Sequence, residues 1–225
     1  MAYTSSKAQA GRSTIFAIGP IAGAVAPTGI TGTTTLGSPT VTAIASTTGL
    51  EVGMGVSGVG IATGSTILSI VSNTSITLSA NATAAGSAIA LTFTIMYTPI
   101  FELKTGDPGK ATFDKEETSN FNSGIDKEYL KLMRDNGAPK FSGNRVGNDA
   151  GQQALLAAFN DPDNAYMFQV TLPVNPKIGQ TTTGDVETWS ALVLGASYGP
   201  IETNKTIPVD VELQITGPRT VVAGS

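Results

Sequence analysis

The sequence predicts an all-β protein: a β-sandwich or barrel with one short flanking α-helix and a small inserted all-β domain. Three observations carry this. The stretch "TIPVDVELQIT" alternates strictly, Ile207, Val209, Val211, Leu213 and Ile215 against Pro208, Asp210, Glu212, Gln214 and Thr216. Only "GNDAGQQALLAAFN" carries a full set of helix start and stop signals. Between Arg12 and Glu102, Glu51 is the one side chain of the Asp, Glu, Lys or Arg type, whereas charges recur every few residues afterwards. Two compositions in one chain indicate two structural units. Residues 1–28 and 94–225 are expected to form the main domain, and residues 29–93 the insertion.

The first strand is expected at Ser13–Ile18, closed by a turn at Gly19-Pro20. Lys7 and Arg12 before "TIFAIGPIAGAVAP", with Ala24 and Ala26, have the outline of a signal peptide. Gly19-Pro20 interrupts its apolar run, and the strand reading is preferred. No apolar run approaches the ~20 residues of a spanning helix.

Within 29–93, "PTVTAIAS" alternates, Val41 and Ala43 opposing Thr42 and Ile44. "TSITLSA" puts Ile76 and Leu78 on one face, and "SAIALTFTIMY" does the same for Ile89, Leu91, Phe93 and Ile95. Short strands with Gly, Asn and Ser turns between them describe a small Ig-like sandwich or barrel.

Residues 114–140, "DKEETSNFNSGIDKEYLKLMRDNGAPK", are long and mixed in charge. Their middle is expected to be helical through Ile125, Tyr129, Leu132 and Met133, ending at Asn136-Gly137. With Phe121, these apolar residues make the segment a candidate arm that orders against another subunit. The helix of "GNDAGQQALLAAFN" is capped by Asn148 or Asp149 and stopped by Asn160-Asp161-Pro162. Ala154, Leu155, Ala158 and Phe159 form its apolar stripe, and Leu155, Ala158 and Phe159 are the residues expected to pack on a sheet. So short a helix builds no core alone. Next, "AYMFQVTLP" aligns Tyr166, Phe168, Val170 and Leu172, and "ETWSALVLGASY" holds the only Trp, Trp189, in a strand apolar on both faces.

Composition excludes several functions. The 225 residues contain no His and no Cys, which removes Ser–His and Cys–His pairs, thiolate metal sites and disulfides. The chain is therefore expected not to be an enzyme and to need no cofactor. A net charge of −4 and a pI near 4.8 oppose gripping nucleic acid by its phosphates. Asp107 with Asp114, and Asp161 with Asp163, lack the spacing of a Ca²⁺ loop, so no metal is expected. "GVSGVGIATG" has neither the Lys nor the following helix of a nucleotide loop. Lys104, Lys110, Lys115, Lys127 and Lys131 alternate with acids and form no evident basic patch.

With these residues in view, the charged part resembles the major tail tube proteins of long-tailed, lambda-like, non-contractile bacteriophages. The strongest match is an acidic-Gly pair, then "GQQALLAAFN", a polar turn and "AYMFQVTLP". "PIFELKTGDPGKATFDKEETSN", "KFSGNRV" and the final "TIPVDVELQITGP" agree more weakly. The insertion departs from the pattern, and its role is not carried over.

The resemblance implies a tail-tube sandwich or barrel whose sheet joins those of its neighbours. Six copies would form a ring, rings would stack into a tube, and DNA would pass through the lumen into the host without specific binding. It also implies tail tip, tape measure and terminator proteins as partners, no membrane, and a location in the virion tail after assembly in the host cytoplasm. Asp210, Glu212, Gln214 and Thr216 are then the lumen-facing candidates; alternatively, that face points outward and its carboxylates are ordinary solvated charges. Phe121, Ile125, Tyr129, Leu132 and Met133 become the inter-ring arm candidates. The inserted domain is expected on the outer tube surface, since a domain of that size in every subunit would block a lumen. Two other classes stay open: a carbohydrate- or receptor-binding virion adhesin, and the tube of a phage-like secretion device.

Overall fold

The computed structural model describes residues 13–121 and 124–225. Lys7 and Arg12, the first part of the expected main domain, and residues 122–123 of the expected arm lie outside the described residues. The chain divides into two compact units, one running up to Ile18 and resuming over Thr98–Ser225, the other Gly19–Tyr97.

The first strand, β1 (Ile15–Ile21), runs through Gly19-Pro20 instead of turning there. Its neighbour on one side stops at the pair Ile18↔Thr98, so on that side Pro20 need supply no N–H.

The second unit follows as β2 (Thr31–Thr34), β3 (Thr40–Thr42), β4 (Gly55–Ser57), β5 (Ile67–Val71), β6 (Ser75–Leu78), β7 (Gly86–Ala90) and β8 (Thr92–Thr94). Five strands form a sheet in the order β5-β6-β3-β2-β7, and β4 pairs with β8. The Val56 amide donates to the Ser65 carbonyl at 2.8 Å, and that of Ile67 to Met54 at 2.9 Å, drawing β4 alongside β5. Leu91 alone separates β7 from β8, so the two layers nearly close on themselves and leave little open edge. Val41, Ile44, Met54, Ile67, Ile76, Leu78, Leu91 and Phe93 fill the interior. The expected alternation of Val41 with Ala43 fails at one residue. Ala43 takes φ +56, which resets the face so that Ile44 is buried while Ala43 is exposed.

The first unit resumes with β9 (Thr98–Pro99), β10 (Leu103–Asp107), β11 (Thr112–Glu117), β12 (Tyr129–Asp135) and β13 (Lys140–Asn144). After α1 (Ala150–Phe159) come β14 (Tyr166–Thr171), β15 (Val186–Tyr198) and β16 (Pro208–Val222). Seven strands make one sheet, β10-β13-β16-β15-β14-β1-β9. The protein is all-β with one short α-helix among the described residues, as the sequence predicts.

The core lies on one face of this sheet. Phe16 stacks between Phe141 (centroids 3.9 Å) and Phe168 (5.6 Å), beside Trp189, Ala191 and Val193. Val209, Val211, Leu213 and Ile215 of β16 are buried while Asp210, Glu212 and Thr216 are exposed. The helix α1 packs on β15 and β9.

Two expectations in this unit need correction. Residues 125–133 form no helix. Tyr129–Asp135 is β12, paired antiparallel with β11 as a two-stranded hairpin. The i, i+4, i+7 spacing of apolar residues is present, but Tyr129 and Lys131 also alternate with Leu130 and Leu132, and the facing strand supplies the ladder partners, with a one-residue register shift between Phe113 and Lys115. β15 is central, yet only one of its faces is buried; Leu192 and Leu194 on the other are 37% and 58% exposed.

Candidate assembly surface

The helix that opens the strongest sequence motif is positioned residue by residue. Asp149 is its N-cap, accepting the Gln152 amide at 2.7 Å. Gly151 lets the first turn approach the chain beside β9: a Cβ there would stand 2.3 Å from the Pro99 oxygen and 2.7 Å from Ile100 Cα. Gln152, buried, then joins three segments. Its amide nitrogen donates to the carbonyls of Asn144 (2.9 Å) and Phe101 (3.2 Å), and its oxygen accepts the Val146 amide (2.9 Å). A buried polar side chain this fully satisfied fixes orientation without a desolvation penalty.

Of the three residues expected to pack on the sheet, Leu155 and Ala158 are 2% and 1% exposed. Burial of a Leu side chain contributes about 1.5–3 kcal/mol. Phe159, the third, is 41% exposed. The buried set is Gly151, Gln152, Leu155 and Ala158, a stripe at i, i+1, i+4, i+7, and Phe159 falls just outside it. The two small or polar members carried no hydrophobic signal, which is why sequence periodicity passed over them.

Along β10, β13 and β16 the opposite face of the sheet is polar, and the register orders it in rows. Asp107, Lys140 and Glu212 stand directly opposite one another on β10, β13 and β16; Thr105, Ser142 and Asp210 form the next row. Glu212 and Lys140 are ion-paired, and the Glu212 hydrogen bond and charge hold the Lys140 ammonium above its ordinary pKa. Asp107, Lys140, Asp210 and Glu212 thus line one groove in which three carboxylates face one ammonium. Gln214 pairs with Leu192 and donates to Asp135 at 3.2 Å, and Thr216 lies opposite Ser190. The four lumen candidates therefore share one face. Lys140, which moderates its charge, was missed because its partner is distant in sequence.

This sheet has an open flank. β10 pairs only with β13 and is the outermost strand, and its residues Lys104–Asp107 are exposed. Nearby, the β11–β12 hairpin stands free as a separate two-stranded sheet, every described residue of both strands exposed. The arm candidates are placed accordingly: Phe121 and Ile125 are fully exposed in the connecting loop, and Tyr129, Leu132 and Met133 are 49%, 43% and 80% exposed on β12. An isolated hairpin of this kind is marginal in water without a partner surface.

One carboxylate of each pair has a structural role. Asp107 accepts the Gly109 amide at 2.9 Å. Asp161 accepts from the Asn164 side chain (3.0 Å), the Asp163 amide (3.1 Å) and the Tyr166 hydroxyl (2.8 Å), which hold its carboxyl below the ordinary aspartate range. Among the described residues no cluster of three or more Asp or Glu is arranged to hold a metal ion, and no helix is long and apolar enough to cross a membrane.

No family model matches the chain, and no curated protein matches it. Among solved structures it is similar to a chain of the anti-feeding prophage baseplate, determined by cryo-EM with 6-fold symmetrisation. The two share 10% identity with a TM-score of 0.46 over 57% of this chain and 85% of that one.

Proposed function

We propose that this chain is the structural subunit of a phage tail tube, assembling into stacked, hexameric rings whose negatively charged lumen conducts DNA. The observation that carries this reading is the two-sided sheet: one face is closed by a single helix, the other is polar and acidic along β10, β13 and β16, and the outer edge of β10 has no strand partner. An open edge is an aggregation hazard in a monomer and an assembly device when pairing closes into a ring. A lumen lined by Asp107, Asp210 and Glu212 repels phosphate and lets a duplex slide. The resemblance in "GQQALLAAFN" supports the same reading. The inserted unit lies on the outside of the tube, for the steric reason given above.

The adhesin alternative is weaker, because the inserted unit's Phe93 is 4% exposed and offers no stacking platform. A phage-like secretion tube shares the assembly physics and differs in cargo. Negative-stain electron microscopy of the purified chain at low and high concentration, beside its mass in dilute solution, tests the proposal. Rings or tubes with a central hole and outward knobs are expected. A monomer at every concentration overturns it, and density of the inserted unit inside the channel overturns its placement.

A further inference from the structure

The free-standing hairpin is electrically two-faced. Across β11 and β12 the directly opposed pairs Phe113↔Arg134, Lys115↔Lys131 and Glu117↔Tyr129 lie on one side, and Thr112↔Asp135 and Glu116↔Leu130 on the other. Lys115 sits over the Tyr129 ring at 4.5 Å and Lys131 over Phe113 at 3.5 Å, which confirms that these four share a face. That face carries Lys115, Lys131 and Arg134, and its one acid, Glu117, is bonded to Lys127 at 2.8 Å. The reverse face carries Glu116 and Asp135, with Asp114 joining them by strand alternation. Charges that are interleaved in sequence are therefore sorted by the pleat, and for Arg134 and Asp135 by the register shift between Phe113 and Lys115, into a cationic side and an anionic side.

Within one chain this sorting is unfavourable. Lys115 and Lys131 are like charges placed directly opposite each other, an arrangement that destabilises a strand pair. Among the described residues neither they nor Arg134 form an ion pair, and neither do Asp114 and Glu116. The aromatic rings of Tyr129 and Phe113 offset part of the cost. The missing counter-charges are of the right sign and spacing on the hairpin's own reverse side.

We propose that the hairpins of neighbouring copies stack face to back, the Lys115/Lys131/Arg134 side of one against the Asp114/Glu116 side of the next. The occupant of this surface is a second copy of the chain, and the inference rests on the self-assembly in the reading above. The contact is heterologous: each copy uses both faces, so it propagates from copy to copy, as a ring requires. The surrounding apolar residues Leu130 and Leu132, half-exposed in the single chain, are covered on stacking.

The test uses full-length K115E/K131E, acidic on both faces, and full-length D114K/E116K, basic on both. Association is measured by sedimentation at several salt concentrations, with unchanged thermal unfolding as the control for folding, since all four positions are solvent-exposed. Each variant alone is expected to associate with itself on the order of tenfold more weakly than the native chain, or worse. An equimolar mixture is expected to regain native association, because alternating copies restore every contact, and K115R/K131R is expected to stay near native. Added salt weakens the native and mixed assemblies alike. Native-like association of either variant alone, or a mixture no stronger than its parts, overturns the stacking. If the native chain forms rings and so do both variants, only the stacking fails. If the native chain and the mixture both stay monomeric, the tube reading fails with it.

Discussion

Arg219 aims two nitrogens, Nε and Nη2, at one oxygen of Glu187, each at 2.6 Å, while Nη1 reaches the carbonyls of Pro108 and Gly109 at 3.0 and 3.1 Å. The guanidinium lies 5.2 Å from the centre of the Trp189 ring. One side chain thereby ties the β10–β11 turn to β15 on a largely screened site, its exposure 16% against 25% for Glu187. Charge-assisted bonds of this kind contribute more than neutral ones. Arg219→Ala is expected to destabilise the first unit by about 2 kcal/mol, and Arg219→Lys to recover little, because an ammonium lacks the fork that serves both partners. Denaturant unfolding followed by Trp189 fluorescence measures this, since the single Trp reports on that unit alone.

Gly151 sets propensity against packing. In a solvated helix, Gly to Ala gains about 1 kcal/mol. Here the new Cβ meets backbone at 2.3 Å, which no side-chain rotation relieves. Gly151→Ala is expected to lower the unfolding free energy by about 1–3 kcal/mol, read as a lower denaturant midpoint. A stabilised protein would show that α1 is not seated against Pro99–Ile100.

Asp161 gives a pH signature. Its folded-state pKa is depressed by the hydrogen bonds of Asn164, the Asp163 amide and Tyr166. The sign follows: the turn's stabilisation is present above the unfolded aspartate value of about 3.9 and is lost as pH falls through the lower folded value. A carboxyl-carbon NMR titration should place Asp161 below ordinary aspartates, and Asn164→Ala should move it upward most.

The groove carboxylates are expected to matter for cargo and not for assembly. Asp210→Lys with Glu212→Lys reverses the groove's charge balance while leaving the buried face of β16 untouched. In the proposed tube, the variant should still form rings but retain DNA, with retention falling steeply as salt rises. Loss of rings with no gain in DNA retention would place this face at a subunit contact instead of a lumen. A milder probe is Lys140→Ala, which frees Glu212 and should weaken any residual DNA retention.

Local pattern determined much of this protein. Strict alternation in 207–216 gave β16 and its buried face, and the capped, Pro-terminated run at 149–162 gave α1, because both signals are read within a few residues of one another. The break in charge density at Glu102 is a local signal of the same kind. Tertiary structure decided what depends on a distant partner. Gln152 is buried because carbonyls of Phe101 and Asn144 receive it, and Lys140 is paired because β13 lies against β16. The arm shows the difference most sharply. Residues 125–133 carry a spacing that suits a helix and an alternation that suits a strand, and pairing with Thr112–Glu117 selects the strand. That choice also converts an interleaved run of Lys, Asp and Glu into two faces of opposite charge, since the pleat sends successive side chains to opposite sides while a helix would have mixed them.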